Sequence, residues 1–171
     1  MHELEGIRAA FEMAGAARQL VHALKYRYYR AAAPRMAEMM SGLNAELAVD
    51  RYFAVPLHRS RLKERGFNQS ALLLEKTGWR PAAGGLVRVR RTDRQVGQAF
   101  GERRSNVADA FAYSGPRLDG LTVALVDDVV TTGATVTECA NVLKDAGARA
   151  VWAFAFARAS YRWDSTDVID D

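Results

Sequence analysis

The residues best suited to chemistry lie together in Val123–Thr137, which reads VALVDDVVTTGATVT. A mostly β-branched apolar run, Val123 to Val126, meets two adjacent carboxylates, Asp127 and Asp128. Two valines later come Thr131, Thr132, Gly133, Ala134 and Thr135, followed by a helix-like pattern. Threonine hydroxyls and a flexible glycine ahead of a helix offer converging donors, and the helix start adds unpaired N–H groups and a partial positive charge. Such a junction suits a phosphate dianion. The loop has no lysine and lacks the Gly-x-x-x-x-Gly-Lys spacing of a nucleoside-triphosphate loop. The carboxylates precede the loop on the strand side, where they could accept from the vicinal hydroxyls of a sugar. A phosphate cradle beside a diol clamp describes a site for a ribose 5-phosphate.

Such a site needs a strand to deliver the acids and a helix to receive the phosphate. The apolar run reads as a buried parallel strand, and ligands of open α/β sheets sit at the C-terminal ends of such strands. The chain alternates in that manner. Helices are expected at Ala16–Tyr28, Ala32–Ala48, Asn68–Thr77 and Thr132–Ala146, and strands at Tyr52–Leu57, Leu86–Val89, Leu121–Val126 and Ala150–Ala157. Ile7–Met13 is either a first strand or a short helix. Met36, Met39, Met40, Leu43 and Leu47 fall at helical spacing and read as core. Asn68 reads as a helix N-cap and Gly147 as a helix stop. The expected fold class is α/β, an open and mainly parallel sheet flanked by helices.

Two basic segments surround this junction. His58, Arg59, Arg61, Lys63 and Arg65 form an expected loop that leaves the C-terminal end of the Tyr52–Leu57 strand and so faces the same crevice. Arg88–Asn106 carries Arg88, Arg90, Arg91, Arg94, Arg103 and Arg104 around Gln95, Gly97 and Gly101. These arginines could track a single-stranded nucleic acid, with Tyr26, Tyr28 and Tyr29 for stacking. An amphipathic helix end explains the tyrosines equally well.

The run LVDDVVTTGAT resembles the phosphoribosyl-diphosphate (PRPP) motif of type I phosphoribosyltransferases. With VPLHRSRLKERGFNQS (Val55–Ser70), QVGQAFGERRSNVADAF (Gln95–Phe111) and LVHALKYRYYRA (Leu20–Ala31), the chain resembles the ComF family. Those are phosphoribosyltransferase-like proteins associated with DNA uptake in competent bacteria. The resemblance runs roughly from Phe11 to Arg158.

It implies a division into an N-terminal hood (1–50), a transferase-like core (51–158) and a flexible tail (159–171), within one structural domain. It implies PRPP as substrate, with 5-phosphate on Thr131–Thr135 and diphosphate on His58, Arg59, Arg61, Lys63 and Arg65. Arg103 and Arg104 would close a flexible loop over the substrate. Magnesium would be held indirectly by Asp127 and Asp128, through substrate or water, with Asp128 nearer the reacting centre. The acceptor would be a nitrogen compound that the sequence does not name. Two other readings stay open: a PRPP- or nucleotide-binding protein without transfer, and a single-stranded-DNA-binding accessory of transformation. Competence-machinery proteins and a second copy of the chain are possible partners.

One departure is plain. The four-cysteine zinc module of many ComF-like proteins is absent, and Cys139 is the single cysteine, so the module is lost or the chain is a shortened form. Length and composition, 171 residues with 49% hydrophobic, fit one globular domain. Neither a membrane-length apolar run nor a signal-peptide pattern occurs, which sets the expectation of a cytoplasmic protein. The net charge of +4 leans weakly toward anionic partners.

Overall fold

In a computed structural model, residues 4–26, 29–90 and 109–159 are described. The sheet is built from β1 (Gly6–Glu12), β2 (Arg51–Ala54), β5 (Thr122–Val130) and β6 (Ala150–Arg158). Its order is β1-β6-β5-β2 and every pairing is parallel. The expected open, mainly parallel α/β architecture is therefore what the chain adopts. The two nine-residue strands β5 and β6 lie in the centre, where Val123, Ala124, Leu125, Val126, Phe154 and Phe156 lose all contact with water. Continuous apolar runs of this kind are what a strand covered on both faces requires.

Helices cover both faces. On one side lie α1 (Gly15–Tyr26), α2 (Ala33–Met40) and α4 (Gln69–Thr77), whose Val21, Leu24, Met36, Met40 and Leu73 pack with Ala124, Val126, Phe154 and Phe156. On the other lies α5 (Ala134–Asp145), whose Val136, Cys139 and Leu143 meet Val123, Leu125 and Val151. Ala17, Val21 and Leu24 follow the i, i+4, i+7 stripe that turns α1 onto the sheet. No described helix is long and apolar enough to cross a membrane.

Several expectations change. Gly6–Glu12 is a strand, hydrogen-bonded along β6, so this part of the N-terminal segment lies within the sheet. The helix expected over Ala32–Ala48 ends at Met40, where Ser41 and Gly42 begin a 3-10 turn through Asn44. Glycine weakens helix propagation, and Arg8 Nη1 then holds the turn by donating to the Leu43 and Ala45 carbonyls at 3.0 and 2.8 Å. Leu43 and Leu47 keep their core contacts without helical spacing.

The strand expected at Leu86–Val89 is β3 (Gly85–Arg88), but it pairs antiparallel with β4 (Phe111–Ser114) in a separate two-stranded sheet. The strand at Phe111–Ser114 was not expected; four residues are too short to show a period. Asn68 caps α4 by accepting from Ser70 N–H at 3.0 Å, and Gly147 follows the end of α5 at φ 106°, both as expected. Trp79 stacks on Tyr52 with ring centroids 4.8 Å apart, and Arg8 lies over Trp152. Both indoles are packing groups; Trp163 is outside the described residues.

Candidate ligand site at the C-terminal end of β5

The acids lie inside β5 rather than after it, because Val129 and Val130 continue the strand and pair with Ala157 and Arg158. Neighbouring strand residues point to opposite faces of a sheet. Asp128 meets α1: its Oδ2 lies 3.0 Å from Lys25 Nζ. Asp128 is only 5% exposed. Asp127 is turned toward α5 and β3, where Cys139 and Arg88 feel its charge. Its Oδ1 accepts from Ser70 Oγ at 2.8 Å and from the Asp128 N–H at 2.9 Å.

Loss of hydration, with the neighbouring Asp128 charge adding to it, pushes the Asp127 carboxyl up to about 7. Lys25, the Ser70 hydroxyl and the Asp128 N–H pull the other way without cancelling that. Ser70 and Lys25 were not among the expected site residues. Both sit in segments that carried the family resemblance, but nothing local in either says which strand they will meet.

Beyond Val130 the chain turns through Thr131, Thr132 and Gly133 into α5. Gly133 is the N-cap residue at φ 81°, a left-handed conformation that glycine adopts without steric cost. A Cβ there would also come within 3.4 Å of Ile7 Cδ1, so β1 backs the turn. Thr132 Oγ1 accepts from Ala134 N–H at a long 3.4 Å, and Thr137 N–H donates to Gly133 O at 2.9 Å to start the helix. The expected phosphate residues Thr131, Thr132, Gly133, Ala134 and Thr135 thus form the turn and first residues of a 12-residue helix. N–H groups of a helix's first turn lack intrahelical acceptors and carry the positive end of its dipole.

The basic segment after β2 is not a loop. It forms α3 (Arg59–Arg65), between His58 as N-cap and Gly66 at φ 70° as C-cap. Arginine, leucine, lysine and glutamate favour helix, and both ends are capped. His58 Nδ1 accepts from Ser60 N–H at 3.2 Å, so this nitrogen serves the helix. Helical phase separates the cations: Arg59 and Lys63 are exposed, Arg61 is half-buried and Arg65 is 8% exposed. Arg65 Nη1 donates to Gln69 Oε1 at 3.2 Å and its guanidinium lies 5.6 Å from the Tyr26 ring centre. Arg61 lies near Arg88 of β3; burial, and then the Arg61 charge, lower the Arg88 guanidinium below its usual range. Of the five expected diphosphate residues, Arg61 is the one brought beside a second cation on the Asp127 side.

The expected closing residues Arg103 and Arg104, with Arg91 and Arg94, are outside the described residues. The ends of that excursion are described. Val89 N–H donates to Ala110 O at 2.8 Å, and Asp109 N–H donates to Glu138 Oε1 of α5 at 2.9 Å. Asp109 has φ 56°, and Glu138 of α5 anchors the chain just ahead of β4.

Burial pushes the Cys139 thiol well up, so it is a packing group and not a nucleophile. Among the described residues no three His, Cys, Asp or Glu side chains converge for a metal. The two carboxylates therefore fit a magnesium ion only as one whose ligands come mostly from substrate and water, which is how magnesium is commonly held.

No protein-family model matches the chain. It is 39% identical over 127 residues to a protein from Salmonella typhimurium called DNA utilization protein YhgH, covering 72% of this chain and 54% of that one. It is 38% identical over 111 residues to competence protein F of Haemophilus influenzae, covering 61% and 48%. A ribose-phosphate pyrophosphokinase of Vibrio parahaemolyticus is 30% identical over 125 residues, covering 70% and 37%. Among solved structures, a purine phosphoribosyltransferase from Pyrococcus horikoshii superimposes with a TM-score of 0.44 at 15% identity, over 84% of this chain and 95% of that one. At that score the fold rests on the strand order itself. The chain spans about half the length of the competence and DNA-utilization relatives. Its sequence similarity is to the competence protein F and YhgH proteins, consistent with the ComF resemblance of its motifs.

Proposed function

We propose that this chain binds PRPP at the C-terminal end of β5 and transfers its ribose 5-phosphate to a nitrogen acceptor, in a role tied to DNA uptake. One observation carries the reading. A buried parallel strand delivers Asp127 and Asp128, and the same strand turns through Thr131–Gly133 straight into α5. The spacing lets one sugar phosphate reach both the turn and an acid. The similarity to a ribose-phosphate pyrophosphokinase supports a phosphorylated ribose as the ligand.

In this reading the 5-phosphate accepts from backbone N–H groups at the start of α5 and from threonine hydroxyls. Asp127 lies on the α5 side and accepts from a ribose hydroxyl, while Ser70 and the Asp128 N–H fix its other bonds. Arg61 and Arg88 give that side a positive field suited to the diphosphate. Bound magnesium would offset diphosphate charge, reached by Asp127 and Asp128 through substrate or water oxygens.

Transfer breaks the C1–O bond, the diphosphate leaves with the electron pair, and the acceptor nitrogen bonds to C1 and gives up a proton. Asp127 is the better placed base of the two: it is half-buried and holds a proton to about neutral pH, whereas Asp128 is committed to Lys25. That reverses the family-based expectation of Asp128. Arg103 and Arg104 keep their proposed part in closing over the substrate.

Calorimetric titration with PRPP, with and without magnesium, tests the binding half of the proposal. Micromolar, magnesium-dependent binding that Asp127→Asn/Asp128→Asn abolishes is the expected outcome, and diphosphate release with a nitrogen base then tests transfer. Equal binding by wild type and double mutant would refute the site. Binding without diphosphate release from any base would leave a PRPP-binding protein and remove the transferase.

A further inference from the structure

The contact between Lys25 and Asp128 joins residues far apart in sequence at the place where β5 delivers its acids. It is a closed contact: the two side chains are only 16% and 7% exposed. A buried ion pair rarely strengthens a fold, because desolvating both charges costs about what their attraction returns. Nor does α1 need it as an anchor, since Val21 and Leu24 already bury themselves completely against the sheet. An apolar side chain at position 25 would hold the helix as well. What the ammonium does that an apolar group cannot is hold the Asp128 carboxylate at a fixed place.

The surroundings extend this. From Lys25 the contacts run to Asp128, whose N–H donates to Asp127 Oδ1, an atom that also accepts from Ser70 Oγ. Gln69, next to Ser70, accepts from Arg65, and Arg65 lies over the ring of Tyr26, the neighbour of Lys25. The circuit closes on itself through α1, β5, α4 and α3. Gln69 is 2% exposed and Asp128 5%, while Tyr26 lies at the surface end of the network. Lys25 of the N-terminal helix contacts the Asp128 carboxylate and Ser70 the Asp127 carboxylate.

We infer that Lys25 is a positioning residue of the ligand site: through its 3.0 Å contact it holds Asp128, whose N–H donates to Asp127 Oδ1, in place beside the acid that meets the sugar phosphate, so that the N-terminal helix supports the site. The inference rests on the proposed PRPP reading. Lys25 acts through Asp128, and its removal leaves a buried carboxylate without its 3.0 Å partner and free to swing.

A double-mutant cycle in PRPP affinity tests it, with melting temperature recorded in parallel. Lys25→Met is expected to weaken binding about tenfold or more, in line with coupling energies between contacting charged groups. In an Asp128→Asn background the same change is expected to alter affinity less than about twofold. Lys25→Gln keeps a donor but no charge; it covers the case in which the methionine variant does not fold, and its affinity should fall between wild type and Lys25→Met. Wild-type affinity in the folded variant, with only the melting temperature lowered, would make the pair purely structural and overturn the inference. Equal losses in both backgrounds would also overturn it, since Lys25 would then act without Asp128. The two levels separate cleanly. If wild type binds no PRPP the proposed function itself falls, whereas binding that needs Asp128 but ignores Lys25 sinks the inference alone.

Discussion

Two segments leave the C-terminal ends of adjacent parallel strands, and in the proposed reading they would hold an anion differently. After β5 the chain crosses three residues and offers the backbone of a helix start. After β2 it folds a helix of its own, α3, and offers side chains. Backbone donors are fixed once the turn and helix form, so adjacent residues suffice to specify them. Side-chain donors depend on helical phase, and α3 spreads its cations around its circumference. Arg61 is half-buried within reach of the Arg88 charge, Arg65 is buried, and Arg59 and Lys63 are exposed. A basic run in sequence is thus not a basic site in space.

This contrast can be broken at several points. The largest effect is expected where both segments' ligands depend on the acids. Asp127→Asn/Asp128→Asn should lower PRPP affinity by about 100-fold or more, through loss of the charged Asp127 acceptor for the ribose hydroxyl and of both negative charges near magnesium. Within α3, Arg61→Ala should weaken PRPP binding about tenfold while Arg59→Ala changes it less than about twofold, because only the half-buried guanidinium sits on the site's side. Equal effects would mean that α3 acts as a diffuse positive patch.

Glycine separates the two segments further. Gly133 and Gly66 both have left-handed backbone, so alanine at either should cost roughly 1–2 kcal/mol of stability. Only Gly133→Ala should also weaken phosphate binding, since only its turn faces the ligand. Denaturant melts together with PRPP titrations of the two variants compare them directly.

A separate effect, on stability alone, concerns Asp127 in the free protein. Its folded carboxyl is held up to about 7 against an ordinary value of 3.8. Below the ordinary value both states are protonated and nothing is lost. As pH rises toward 7 the unfolded chain ionises first, so stability falls across that window and levels off above it. Asp127→Asn removes the titration. Relative to wild type it should gain stability between pH 4 and pH 8, and melting curves of both proteins over that range read the difference.

Legibility in the sequence followed locality. The β5 run, its turn and α5 are consecutive, and strand, turn and helix could be read from Val123–Thr137 alone, although β5 continues past the expected Val126 to Val130. The Met36–Leu47 stripe suggested a longer helix than α2, because hydrophobic spacing persisted after Gly42 had ended the helical geometry. The segment His58–Arg65 read as a loop because charge drew attention from its helix-forming residues and its two caps. Strand β4 was too short to announce itself. The Lys25–Asp128 and Ser70–Asp127 contacts arise only when helices from separate parts of the chain settle on β5, and no residue pattern in either partner encodes the meeting. The acids could be found in sequence, but not the fact that they face opposite sides of the sheet.

The central claim is that one ligand spans the acids and the start of α5. A crystal structure of the chain with PRPP and magnesium tests it most directly. The account predicts the 5-phosphate against the N–H groups of Gly133–Thr135, a ribose hydroxyl on Asp127 and the diphosphate toward Arg61 and Arg88. A ligand bound elsewhere, with the Thr131–Thr135 turn left unengaged, would contradict it.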